Sequence, residues 1–142
     1  MKDPKTAHQV IIRTLPFASL TLELIPLGED WLVVLQGGNR PHIGCTVLAQ
    51  PRPSLTGSGK ISCTSSVMNL SGHKDEFICR DIAERLCTGL NALVVCTGGF
   101  HLDGITAEQI RQVQEAAREM ADQWRVDREA QQQTEKKTQS LT

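Results

Sequence analysis

The sequence predicts an α+β member of the α/β class: a single two-layer domain whose mainly antiparallel sheet of about six strands is covered on one face by two helices. Three observations carry this. The first half of the chain is rich in strand-like apolar segments, one of which, 19–27, alternates cleanly with polar residues. After Asp75 the apolar spacing lengthens to three and four, the period of a helix. At 142 residues the chain is long enough to bury a real core in one domain.

The elements follow in order. Residues 8–15 hold Val10, Ile11 and Ile12, and Pro16 closes this first strand. In 19–27, Leu20, Leu22 and Leu24 share one face, with Thr21 and Glu23 on the other. Gly28-Glu29-Asp30 makes a short turn, so an antiparallel hairpin leads into a strand at 31–35. A fourth strand spans 43–50 and is stopped by Pro51-Arg52-Pro53. The small-residue loop 54–59 leads to a fifth strand at 60–70.

The pattern then turns helical. Residues 75–88 place Ile78, Ile82 and Leu86 at steps of four, with Asp75 as N-cap and Gly89 at the left-handed C-cap position. A compact apolar strand occupies 92–97. Thr106-Ala107-Glu108-Gln109 is a capping box, with Ile105 and Ile110 at the staple positions. The stripe Ile110, Val113, Ala117, Met120 and Trp124 continues that helix. The domain is expected to span 1–128. Residues 129–142, built mainly of Gln, Glu, Lys and Thr, are expected to form a frayed polar tail. If the uncovered sheet face carries Leu20, Leu22, Leu24 or Trp31, it is an apolar patch of the kind that dimerisation hides.

Composition excludes several classes of function. A formal net charge of -1, with no basic cluster interleaved with aromatics, gives no pull toward nucleic acid. No apolar run approaches the roughly 20 residues that span a bilayer, and no signal-like stretch opens the chain, so a soluble cytoplasmic protein is expected. The five cysteines are odd in number, widely spaced and set among apolar residues, with no C-x-x-C pair. They read as buried hydrophobes of a reducing compartment.

Three of the four histidines sit in glycine-marked segments. Gly37-Gly38-Asn39-Arg40-Pro41-His42-Ile43-Gly44 is a tight connection in which Arg40 and His42 flank a stiffening proline; ordinary turn chemistry already accounts for Gly38-Asn39. Ser71-Gly72-His73-Lys74-Asp75 ends a strand and opens a helix, presenting His73 and Lys74 beside unsatisfied amides. Gly98-Gly99-Phe100-His101-Leu102-Asp103-Gly104 reads as a strand-to-helix turn whose free amides suit an anion. There His101 and Asp103 either orient each other, bind a metal, or simply shape the turn. It lacks the Lys-Ser/Thr ending of a P-loop and the dinucleotide glycine spacing. Ser65 and Ser66 lie in the strand leading to His73, but there is no Gly-x-Ser-x-Gly elbow, no cysteine with a histidine partner in the sequence, and no evident carboxylate pair. The chain has binding equipment without a legible reaction centre.

Taken together, the Gly-Gly-x-x-Pro-His-Ile-Gly segment at 37–44, His-Lys-Asp at 73–75 and Gly-x-His followed by Ile-Thr-x-x-Gln-Ile at 99–110 resemble a known family. From about 31 to 117 the chain is similar to the small prenylated-flavin chaperones, the D-type accessory subunits encoded beside UbiD-type hydroxyarylic acid (gallate-type) decarboxylases. The resemblance implies a non-enzymatic protein that binds reduced, oxygen-sensitive prenylated flavin mononucleotide (prenylated FMN) and delivers it to the apo-decarboxylase. A flavin prenyltransferase would be the source of the cofactor. It also implies likeness to proteasome-assembly chaperones, which are small sheet-and-helix proteins that dimerise. The resemblance does not itself assign the contacts; our own placement on the three shared loops and the strand before His73 makes the expected cofactor-binding residues Gly38, Arg40, His42, Gly44, Ser65, Ser66, His73, Lys74, Gly98, Gly99, His101 and Asp103. His73, Lys74 and 99–101 would grip the phosphate, with a bridging cation as a further candidate. Pro41-His42 and Ser65-Ser66 would face the rings. Two other readings compete: a small metal-dependent hydrolase or lyase using His42, His73 and His101 with Asp103, and an assembly factor that binds protein alone.

Overall fold

The computed structural model describes residues 7–70 and 75–141. Six strands and two helices alternate as β1 (Gln9–Thr14), β2 (Ser19–Leu27), β3 (Asp30–Gly38), β4 (Cys45–Pro53), β5 (Ile61–Asn69), α1 (Asp75–Leu90), β6 (Val94–His101) and α2 (Ala107–Ser140). The sheet order is β1-β2-β3-β6-β4-β5. Every neighbouring pair is antiparallel except β3 with β6. This is the two-layer α+β architecture that the change of period predicts.

Alternation decides what is buried. Leu20, Leu22, Leu24, Trp31, Val33 and Leu35 all face the helices, where Ile82, Leu86, Val113 and Met120 meet them. Each such side chain, once buried, contributes roughly 1.5–3 kcal/mol. The leucines and Trp31 therefore belong to the core and not to the open face. That face instead carries Ile25, Leu32, Val95 and Leu48, which stand side by side across four strands. Trp31 also meets Trp124 of α2 edge to face, with centroids 4.9 Å apart. The Arg128 guanidinium lies 4.6 Å over the Trp31 ring, and Trp124 Nε1 donates to Gln9 Oε1. These contacts pin the middle of α2 to β1 and β3.

Several boundaries differ from the sequence reading, each for a physical reason. Strand β4 runs through Pro51 and Pro53 because its pairing with β6 ends at Ala49–Val94. Beyond that point β4 has only β5 beside it, so missing proline N–H groups cost little. The left-handed residue after α1 is Asn91, at φ 49°, while Gly89 lies inside the helix. A Cβ at Gly89 would sit 2.0 Å from Arg125 Cδ of α2, so this glycine serves helix crossing. Helix α2 continues to Ser140, past the expected end near Arg128. Its polar last turns bury no core, yet Gln, Glu, Lys and Ala are good helix formers and propagate a helix already nucleated. No helix of the described residues is long and apolar enough to cross a membrane.

The start of α2 is the box that the sequence predicts. Gln109 N–H donates to Thr106 Oγ1 at 3.1 Å, and Thr106 N–H donates to Gln109 Oε1 at 3.0 Å. Replacing Thr106 with Ala is expected to lower unfolding free energy by about 1 kcal/mol, measured by urea denaturation with an unchanged m-value.

Candidate functional site

The parallel pairing of β3 and β6 brings their C-terminal ends to one edge, with Gly38 opposite His101. As the chain leaves β3 it folds over the end of β6: the Asn39 and Arg40 N–H groups both donate to the His101 carbonyl, at 2.9 and 3.4 Å. Asn39 then holds Asp103 at two points. Its Nδ2 donates to Asp103 Oδ2 at 2.7 Å, and its Oδ1 accepts from the Asp103 N–H at 3.0 Å. His101 Nε2 lies 2.9 Å from Asp103 Oδ1. The Asn39 amide first, and then the His101 ring, hold the Asp103 carboxyl below the usual carboxylate range. This cluster stands in solvent, where such contacts orient side chains more than they stabilise the fold.

Two polar side chains in the cluster face outward: Arg40, and His101, whose Nδ1 donates once the ring is protonated because Nε2 already faces the Asp103 carboxylate. The Arg40 guanidinium approaches Asp103 Oδ2 only to 4.0 Å, beyond hydrogen-bond range, and its side chain is 72% exposed. His101 keeps Nδ1 without a partner among the described residues. A planar, permanently charged fork beside an imidazole suits a phosphate or carboxylate.

His42 sits just inside this pair, its ring centroid 6.3 Å from that of His101. Its Nδ1 is 3.0 Å from the Arg40 carbonyl and its Nε2 3.0 Å from Asp75 Oδ2. Asp75 opens α1 and is the one charged side chain buried among the described residues. Its other oxygen, Oδ1, accepts from the Phe100 N–H at 2.9 Å. Two glycines make room for this contact. A Cβ at Gly44 would fall 2.1 Å from Asp75 Oδ2, and one at Gly99 would fall 2.8 Å from His42 Nε2. The other glycines of the cluster also abut protein: a Cβ at Gly38 would meet the His101 carbonyl and one at Gly98 the Leu35 carbonyl.

The structure thus gathers Gly38, Arg40, His42, Gly44, Gly98, Gly99, His101 and Asp103 at one edge. It corrects the reading of 98–101 as a strand-to-helix turn, because these residues form the last part of β6. The main-chain groups there bond to β3, to Gly44 and the 39–40 segment, and to the Asp75 carboxylate, so the anion-binding case rests on side chains and not on free helix-start amides. Ser65 and Ser66 are not brought to the cluster. They pair with Ala49 and Leu48, well along the sheet, and Ser65 donates to Glu84 of α1 at 2.7 Å. His73 and Lys74 lie outside the described residues. Among the described residues no three His, Cys, Asp or Glu gather to hold a metal.

Two participants escape a reading of the sequence. Asn39 looks like a turn residue and Asp75 like a helix cap; only the pairing of β3 with β6 reveals Asp103 beside one and His42 beside the other. The cysteines behave as expected of buried thiols. All are free, and only Cys63 is partly exposed. Burial raises the Cys45 and Cys63 thiols and pushes Cys87 up to about 11, while the neighbouring Cys96 sulfur and burial raise Cys79. Thiols so shifted are poor nucleophiles at neutral pH.

A TM-score of 0.49 at 14% identity relates the chain to one in the crystal structure of a novel chaperone complex for yeast 20S proteasome assembly, covering 82% of this chain and 94% of that one. Protein LpdD of Lactiplantibacillus plantarum is 35% identical over 86 residues, which span 59% of this chain and 58% of that protein. The prenylated flavin chaperone LpdD-like domain matches residues 16–128, a stretch that contains every strand but β1, helix α1 and the whole described cluster. The chain belongs to the prenylated flavin chaperone LpdD-like family.

Proposed function

We propose that the protein is a cytoplasmic accessory protein, not an enzyme, which binds reduced prenylated FMN made by a flavin prenyltransferase and hands it to a UbiD-type decarboxylase. Family membership supports the class of ligand. The observation that carries the placement is the outward-facing pair of Arg40 and His101 at the shared end of β3 and β6. A flavin mononucleotide carries a terminal phosphate on its ribityl chain, and this pair is suited to that group. In this reading Asn39 and Asp103 orient the pair, while His42, Gly44, Gly98 and Gly99 build the floor. His73 and Lys74, which immediately precede Asp75 in the sequence, are proposed from residue type alone as further contacts to the phosphate. A bridging cation there would add to the same charge balance. Ser65 and Ser66 keep a place only if the ring system extends along β5.

Anaerobic co-expression with a flavin prenyltransferase should yield protein carrying the flavin absorbance and the mass of prenylated FMN. Arg40→Ala and His101→Ala should each weaken binding roughly 10- to 100-fold, as expected for loss of a charge-assisted hydrogen bond. Colourless wild-type protein from the same preparation would rule the reading out.

We also propose that the protein is a homodimer joined through its open sheet face. Both helices pack on the other side, against β4, β5 and β6 for α1 and against β1 and β2 for α2. The row Ile25, Leu32, Val95 and Leu48 lies outside the helix-covered core, and Val10 and Ile12 extend the apolar surface on β1. A second copy laid face to face would cover it. Light scattering should give twice the 15.6 kDa chain mass. Leu32→Glu should return the protein to a monomer with its far-UV spectrum intact.

A further inference from the structure

We propose that Asp75 is a positioning residue that sets the spacing of Arg40 and His101, acting on one through the His42 ring and on the other through the Phe100 amide. The inference rests on the reading that this pair holds the ligand's phosphate. Asp75 is 4% exposed and belongs to α1, whereas the two segments it holds belong to the loop after β3 and to the end of β6. Through Oδ1 it fixes the Phe100 N–H, one residue before His101. Through Oδ2 it fixes His42 Nε2, and His42 Nδ1 reaches the Arg40 carbonyl. One carboxylate therefore ties down both donor-bearing segments.

The chemistry of the bridge is specific. Carboxylate and carbonyl oxygens only accept, so the His42 ring completes both contacts when each nitrogen carries hydrogen. His42 is then spent inside the protein and acts as a strut, which leaves Arg40 and His101 as the ligand-facing donors. A carboxylate buried this deeply is costly unless it is hydrogen-bonded and charge-paired, and Asp75 has both kinds of contact. The slot admits little else, because both Gly44 and Gly99 would collide with the pair if they carried a Cβ.

An asparagine preserves this geometry. Its carbonyl oxygen still accepts from Phe100, and its amide donates to Nε2 of a neutral ring that keeps hydrogen on Nδ1 for Arg40. Alanine removes both contacts. In titrations with FMN, Asp75→Ala should weaken binding by about 10- to 30-fold, the scale of lost charge-assisted bonds, and Asp75→Asn should restore most of that loss. In an Arg40→Ala background the further effect of Asp75→Ala should shrink to about threefold or less, since residues acting through one another are not additive. If Asp75→Ala binds FMN like wild type, or its penalty multiplies undiminished with that of Arg40→Ala, the positioning role is overturned. Wild-type protein that takes up no FMN, or Arg40→Ala that binds it unchanged, instead overturns the phosphate reading. Nitrogen-15 spectra of the His42 ring in ligand-free protein separate the two failures and stand even if Asp75→Ala does not fold. Asp75→Asn should convert Nε2 from a protonated to an acceptor nitrogen, and a ring signature identical to wild type would sink the proposed contact.

Discussion

Because β3 and β6 run parallel, their carboxyl ends meet at one edge of the sheet, and everything distinctive about the molecule collects there. Parallel neighbours cannot be joined by a tight turn. The chain between them therefore makes β4, β5 and α1 before it returns. Helix α1 runs back over the sheet against the direction of β6, so its first residue, Asp75, arrives at the same edge as the last residues of β3 and β6. Three stretches of chain distant in sequence are thus delivered to one place by connectivity alone, and polar contacts then lock what the topology has delivered.

The locking is local and nearly complete. Asn39 satisfies Asp103 on two sides, Asp103 orients His101, and Asp75 and His42 satisfy each other against the neighbouring backbone. Such an arrangement leaves few groups to reorganise when a ligand arrives, so more of the interaction energy appears as affinity. The two histidines at its heart are held by carboxylates that occupy one nitrogen of each, and the nearby buried thiols are pushed toward their neutral form.

Much of the fold was legible from residue order. Period-two alternation marked β2, apolar runs marked β1 and the first part of β3, and the Thr106–Gln109 box marked the start of α2, because these signals are local and made of few residues. What stayed hidden depends on neighbours. Pro51 and Pro53 look like a strand end until it is known that β6 stops short of them. Gly98 and Gly99 look like a turn until β3 is placed alongside. The polar run after Arg128 was read as frayed because it has no core to bury, although a helix already under way needs none. In the site, Arg40, His42 and His101 stood out by residue type and glycine context. Asp75 did not, since an acidic residue at a helix start has an ordinary explanation that concealed its partner 33 positions away.

The crowding around the glycines bears on how this surface can change over generations. At Gly38, Gly44, Gly98 and Gly99 a side chain would strike backbone or the Asp75–His42 pair whether or not any ligand is ever bound. Selection for folding alone is enough to hold these positions, so their persistence among descendants would say nothing about what is carried. Arg40 and His101 bear no such burden, being exposed and replaceable without a clash. Under the proposed phosphate reading, a lineage that bound a different ligand would be expected to drift first at those two positions while the glycine framework around them stood still.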